Sequence, residues 1–488
     1  MGPGVSDPPE PVPRSAGRWA VAVAAGTQMM VVLDTAVLAI ALPRMAADLH
    51  IPTGALPWVM NAYALPFAAF LLLGGRIADL VGPVATLRIG LAVFAAASAG
   101  AGLAPSLGVL LACRGLQGLG GAMLSPASLA LLTRSTAAGT ERERAIAVWG
   151  VTASVGASAS ALFGGLLTQT LGWRWVLLIN VAIAPLLAAA GRGLPRDVSH
   201  EKRPEGLDLV GMSLLVIAFG GIDLAATATG GGSQPLRSIL AGGVAAAALG
   251  GLVMAERRVR HPLLPLRLLR SPRVAYTNAA AVALLAGTAA TTYYTTLYAQ
   301  DVSGLAPLTT AVCMLPATVS SVLTARAVPR LVVAVGTRNC RTAGPVLVAL
   351  AQLGLAAGEH SHVEFAALIP LLVVQAVGSS ISVITLTSSA TRSLPAHQAG
   401  LAGGLITVSG QSGASIGLAT LTGLAAALTA TVDGSTAAAR SAAIVGQVTI
   451  ALPLGAVLAT AAALLARRIP PGEAGSPQAG APAGDTGQ

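Results

Sequence analysis

The chain has 488 residues, of which 54% are hydrophobic and only 10% charged. Soluble domains carry about 25% charged residues, so the composition excludes a soluble globular fold and points to a polytopic membrane protein. The net charge of +10 then reads as cationic loops beside anionic lipid, not as a nucleic-acid surface.

Residues 1–19 are Pro-rich and polar and are predicted to be disordered. The apolar run after them is too long for a signal-peptide core, so it is expected to stay as a membrane helix. Stretches of about 20 apolar residues predict fourteen spans: 20–42, 57–76, 86–104, 107–132, 145–168, 174–194, 208–228, 236–254, 274–298, 307–327, 342–358, 365–388, 400–428 and 443–466. An even number puts both termini on one side. With that side cytoplasmic, 24 of the 29 Lys and Arg fall in inner segments, four in outer ones, and Arg114 lies inside a span. The bias fixes the expected orientation, because cationic loops stay inside. The segment 256–273 reads as an ordinary inner loop or as an amphipathic helix on anionic lipid. The tail 467–488 is predicted to be disordered and cytoplasmic.

The chain reads as a duplication. "GGRIADLVGPVATLRIG" joins spans two and three, and "ARAVPRLVVAVGTRNCRTAG" joins spans ten and eleven. Each is a basic, Gly-containing turn after the second span of a block of six. The expected organisation is an N-terminal six-helix bundle (20–194), two extra helices with flanking loops (195–273) and a C-terminal six-helix bundle (274–466). Repeats of six spans suggest a secondary transporter with its site between the repeats.

Cys113, Cys313 and Cys340 form no CxxC, and the six histidines show no ligand spacing, so no metal, redox site or cofactor is expected. No P-loop or catalytic triad pattern is present, so neither ATP hydrolysis nor enzyme activity is expected of this chain.

A charge at mid-bilayer costs roughly 2.5–3.5 kcal/mol on insertion scales and usually faces a cavity with a partner. In these spans Asp34 and Arg114 are well inside. At 1.5 Å per residue each lies about 11–12 Å below the outer surface, a depth at which they can pair. Two readings are open. Asp34 is a proton carrier, with burial favouring the acid and Arg114 favouring the carboxylate; or the pair is a permanent tie between helices. Asp223 reads as a snorkelling acid at the outer end of span seven.

"LDTAVLAIALP" (Leu33–Pro43) resembles L-D-x-T-x-V-N-V-A-L-P, with Ala36 and Ala39 where that pattern has Thr and Asn. "RGLQGLGGAM" (Arg114–Met123) matches R-x-x-Q-G-x-G-x-A. "GWRWVLLINV" (Gly172–Val181) is close to W-R-W-x-F-x-x-N. "GASASALFGG" keeps Gly156, Gly164 and Gly165 of G-x-x-x-G-P-x-x-G-G, but Ser160 and Ala161 replace its Gly-Pro pair. Gly75, Asp79 and Gly82 match G-x-L-A-D-R-x-G-R-K, whose cations are replaced here by Leu80, Pro83 and Val84. On these motifs the chain resembles the major facilitator superfamily, and within it the fourteen-helix drug:proton antiporters, including antibiotic and multidrug efflux transporters of actinobacterial type.

The resemblance implies an all-α major facilitator fold with fourteen transmembrane helices. It implies proton-coupled efflux of hydrophobic drugs or a self-made antibiotic across the cell membrane by alternating access, as a monomer. Asp34 and Arg114 would couple protons. Gly75, Asp79 and Gly82 would belong to a latch between helices 2 and 11, with Arg76 or Arg88 standing in for the lost cations and a neighbouring helix N-terminus facing Asp79. Gly156, Gly164 and Gly165 would form the antiporter motif of helix 5. Polar and aromatic residues in the spans are cavity candidates: Asn61, Tyr63, Gln117, Tyr293, Tyr294, Tyr298, Gln375 and Gln411. The tyrosines of span nine read equally as an interfacial aromatic belt. The altered helix 5 motif leaves open an exporter of the same fold without strict proton antiport; a non-transporting sensor or enzyme is the remote alternative.

Overall fold

A computed structural model describes residues 14–52, 55–136, 140–193, 209–230, 235–258, 270–361, 363–391, 396–429 and 437–470. Among them are fourteen α-helices of 18 to 35 residues. They are α1 (Arg14–Asp48), α2 (Leu56–Val81), α3 (Pro83–Gly102), α4 (Leu107–Ser135), α5 (Thr140–Thr170), α6 (Trp173–Ala190), α7 (Leu209–Gly230), α8 (Pro235–Arg258), α9 (Pro272–Leu297), α10 (Pro307–Val335), α11 (Thr337–His360), α12 (Phe365–Thr391), α13 (Ala396–Leu428) and α14 (Ala437–Arg468). Nine are long and apolar enough to cross a membrane, and ten when α2, bent by 53° between its two segments, is taken as one span. The chain is a multi-pass membrane protein. Large apolar side chains such as Leu186, Ile239, Val333 and Val457 face outward, as helices apolar on every face require.

The sequence sets the helix ends in recognisable ways. Proline stands in the first turn of α2, α3, α9 and α10, where its missing N–H costs nothing. Gly82 (φ 93°, ψ 150°) is the single joint between α2 and α3, and Gly336 (φ 90°, ψ 145°) is the single joint between α10 and α11. Only glycine adopts that backbone without strain, so the two basic turns share one geometry. Helix α1 begins at Arg14, inside the stretch expected to be disordered, and runs through Pro43 to Asp48 rather than stopping near Leu42. Helix α11 likewise extends past residue 358 to His360. Asp223, most of the 256–273 segment and the termini beyond 14–470 fall outside the residues whose side chains are described.

The helix contacts repeat with a shift of eight. In the first six helices α1 packs on α4, α5 and α6, α2 on α4, and α3 on α4 and α6. In the last six α9 packs on α12, α13 and α14, α10 on α12, and α11 on α12 and α14. The two sets meet through α5 on α10 and, in the mirrored pair, α2 on α13. Helices α7 and α8 pack on each other, and α7 covers the α2–α13 seam, where Leu65, Ala68 and Ala69 meet Leu252 of α8 and Ile416 of α13.

The apolar core is continuous at one end of the bundle and divided at the other. At the end away from the termini, one cluster joins both sets of helices, from Leu38 and Leu42 through Tyr294 and Leu297 to Leu418 and Leu452. At the termini end the described residues fall in two clusters, one around Leu87, Phe94 and Leu131 that reaches Val408 of α13, the other around Leu284, Leu386 and Ala459.

Candidate functional site

Asp34 and Arg114 meet in the N-terminal six helices. Both are at most 1% exposed. Arg114 Nη1 donates to Asp34 Oδ2 at 2.6 Å and to Gln117 Oε1 at 2.9 Å. Asp34 Oδ1 accepts from Asn180 Nδ2 at 2.7 Å and from Gln117 Nε2 at 3.3 Å. Gln117 Nε2 is also 2.6 Å from Ser98 Oγ, to which it donates. Arg114 Nε donates to Val59 O at 3.4 Å, and its guanidinium lies over the Tyr63 ring, 4.6 Å from the centroid. Five helices, α1, α2, α3, α4 and α6, thus converge on one carboxylate and one guanidinium. A buried charge pair is tolerated when its remaining donors and acceptors are satisfied in this way.

Close helix packing makes this possible. A Cβ on Gly118 would lie 2.3 Å from Tyr63 O, and one on Gly74 2.0 Å from Ala122 O. The Gly-rich face of α4 therefore sits directly on α2, which brings Arg114 over Tyr63.

The pair borders a cavity. Arg114 and Tyr63 line a space of about 480 Å³ together with Thr35, Asn61, Gln411 and Ser415, from α1, α2, α4 and α13. The Tyr63 hydroxyl and the Ser415 Oγ are buried there without hydrogen-bond partners. A second space of about 530 Å³ opens between α9, α12 and α13, lined by Leu284, Leu285, Leu386 and Ile406, and Gln411 borders both.

The cavity candidates divide accordingly. Asn61, Tyr63 and Gln411 line the central space. Gln117 belongs to the ion-pair network instead. Gln375 is buried, with its Oε1 unpartnered, and lines neither space. Tyr293, Tyr294 and Tyr298 are at most 2% exposed and lie in the continuous core at the far end. They line neither of these two spaces and do not face lipid. Tyr293 and Tyr294 pack edge-to-face at 5.0 Å, Tyr294 Oη donates to Gln447 Oε1 at 3.4 Å, and Tyr298 Oη donates to Val363 O at 3.1 Å. The hydroxyls of Tyr294 and Tyr298 reach polar groups inside the protein, which removes the reason for a membrane-interface position.

The latch residues sit at the end of α2. Asp79 is exposed and accepts from Arg134 Nη2 of α4 at 3.2 Å, its ion-pair partner among the described residues. Arg88 reaches Gly191 O instead, at 3.4 Å. Helix α2 packs on α13, α4 and α7. Gly75 faces Pro126, at ordinary contact distance for an added Cβ. The helix 5 glycines face different neighbours. Added Cβ atoms at Gly156 and Gly164 would meet Met29 and Val37 of α1, but one at Gly165 would meet Pro307 O, Leu308 Cα and Ala311 Cβ of α10, all within 2.9 Å. One glycine of the pair therefore packs within the N-terminal set and the next packs across to the other set.

Two polar residues escaped the sequence reading. Asn180 ends the stretch resembling W-R-W-x-F-x-x-N, yet nothing in the motif says that it points at Asp34. Glu359 is 0% exposed; it lies one residue beyond the expected end of span eleven.

A family model described as Major Facilitator Superfamily matches residues 24–418. A cephamycin export protein of Amycolatopsis lactamdurans is 34% identical over 94% of this chain and 95% of its own length. A puromycin resistance protein of Streptomyces alboniger is 34% identical over 91% of this chain and 90% of its own. Among solved structures, an auto-inhibited peptide transporter of the POT family superposes with a TM-score of 0.66 at 16% identity, covering 94% of this chain and 98% of its own.

Proposed function

The chain belongs to the Major Facilitator Superfamily, and from that premise we propose that it exports an amphiphilic drug or antibiotic across the cell membrane in exchange for protons, by alternating access. The observation that carries this reading is the buried Asp34–Arg114 pair whose cation borders the central cavity. The similarity to exporters and resistance proteins supports the direction of transport.

The exchange follows from competition for one guanidinium. With Asp34 ionised, Arg114 is held back by Asp34 and Gln117 and stacked on Tyr63, leaving the cavity to substrate. A neutral or cationic amphiphile seated against Tyr63, Asn61 and Gln411 excludes the water that a released guanidinium would need, so it favours the closed pair. Protonation of Asp34 removes the counter-ion. Arg114 then turns into the cavity, hydrates and displaces the substrate. Proton and substrate thus exclude each other, which is the condition for antiport.

The two ends of the bundle supply the alternation. The orientation favoured by the arginine distribution puts the termini in the cytoplasm. The divided core then faces the cytoplasm, and this is the conformation that loads substrate. The continuous core at the far end is the closed gate, with Gly165 against α10 as part of its seal. We treat the six-helix sets, 20–194 and 274–466, as the bodies that rock, with α7 and α8 alongside.

Proteoliposomes test this. In Asp34→Asn, substrate counterflow persists and accumulation driven by a pH gradient is lost. Gradient-driven accumulation that survives the substitution removes Asp34 as the coupling site. It would favour facilitated export, the reading to which Ser160 and Ala161 in the helix 5 motif also point: α5 runs from Thr140 to Thr170 with no proline.

A further inference from the structure

Glu359 is as deeply buried as Asp34 but has a different setting. No ion pair reaches it among the described residues. Its Oε1 accepts from Thr295 Oγ1 of α9 at 3.5 Å, and its Oε2 has no hydrogen-bond partner among the described residues. A bare carboxylate enclosed in apolar packing is far costlier than the neutral acid, so the group holds its proton while it is sealed in this way.

The segment that follows Thr295 also touches the other half. Directly after α9 the chain makes a π turn, Tyr298–Val302, a form of helix distortion frequent at functional sites. Tyr298 Oη donates to Val363 O at the start of α12, and Ser441 Oγ of α14 donates to Asp301 O at 3.0 Å. Gln300 Nε2 donates to Ile40 O of α1 at 3.0 Å, a bond between the two six-helix sets. Opening the far end separates α1 from α9, breaks the Gln300–Ile40 bond and frees the π turn beside Thr295.

We propose that Glu359 is a second proton-binding site of the transporter, exchanging its proton with the far side of the membrane when the Tyr298–Val302 turn is released from α1. The proposal rests on the proton-coupled reading above. The step is a plain protonation: water at the opened end delivers the proton, the O–H bond of the carboxyl forms, and no other bond changes. Among the described residues the other titratable or charged groups at this end of the C-terminal set are Tyr293 and Tyr294 on α9, Tyr298 and Asp301 in the π turn, Cys313 on α10, His360 ending α11, Glu364 before α12 and Arg440 on α14. Beside the acids Asp301 and Glu364, Glu359 is the one that is fully enclosed.

The test uses the full chain with Glu359→Gln, which keeps the shape of the protonated acid, and Glu359→Asp, which restores a carboxyl. Infrared spectra of purified protein report the carbonyl stretch of a protonated carboxyl, identified by its shift in deuterated water. That band is expected in the wild type, lost in Glu359→Gln and regained in Glu359→Asp. In proteoliposomes at fixed inner pH, acidifying the far side accelerates substrate release in the wild type, and this response is lost in Glu359→Gln while counterflow is kept. An unchanged band, or an unchanged far-side response, in Glu359→Gln overturns the proposal. The two readings fail separately. If Asp34→Asn keeps gradient-driven accumulation, the coupling mechanism falls; if Asp34→Asn loses it and Glu359→Gln changes nothing, only the second site falls.

Discussion

The two six-helix sets share a contact pattern and bury different chemistry. Ser98 of α3 and Gln352 of α11 each stand 16 residues after their joint glycine, Gly82 and Gly336. Ser98 accepts from Gln117 and so props up a charged pair. Gln352 donates to Thr291 Oγ1 at 2.9 Å and to Gly287 O at 3.0 Å, and the network there is neutral. The scaffold therefore needs a polar group at this depth in both sets but a charge in only one. The charges of α1 and α4 are an addition to the fold, and function is the reason to look for.

The substitutions that strain this contrast most come first. Arg114→Ala leaves Asp34 enclosed without its cation, and breaking a buried pair costs about 3–5 kcal/mol. A large drop in thermal stability at neutral pH is expected; an unchanged melting temperature would mean that the pair is dispensable to the fold. Asn180→Ala removes the shorter of the two bonds to Asp34 Oδ1, and a hydrogen bond to a charged group contributes about 1.5–3 kcal/mol. Proton-driven accumulation should fall by roughly tenfold or more, with counterflow maintained. Equal loss of both activities would make Asn180 merely structural. Gln352→Leu removes the neutral counterpart and should cost about 1 kcal/mol, seen as a modest shift in denaturation with proton coupling intact. If coupling were lost instead, the two sets would not divide their roles as argued. Arg134→Ala breaks the exposed pair with Asp79, where 0–1 kcal/mol is typical; a larger change in transport would make that contact a working latch.

Much of the fold was legible in the sequence, because long apolar runs and the arginine bias report membrane helices directly. Asp34 and Arg114 were legible for the same reason: a charge stands out against an apolar background. The depth argument took α1 to end at Leu42, yet the two side chains do meet. What stayed hidden depends on direction and distance. Asn180 was in view but its orientation was not. Arg134 is 55 residues from Asp79, with no local signal joining them. Glu359 was lost to a helix boundary set one residue short. The span-nine tyrosines looked like cavity or interface residues because composition records their polarity but not that their rings pack inside the core.

The most direct test of the central claim, that substrate and proton exclude each other at Asp34, is the pH change on adding substrate to purified protein in weakly buffered detergent solution. In a series of such experiments across pH, wild-type protein should release protons as substrate binds, and Asp34→Asn should bind substrate and release none. Proton uptake on binding, or an identical release from Asp34→Asn, would contradict the account.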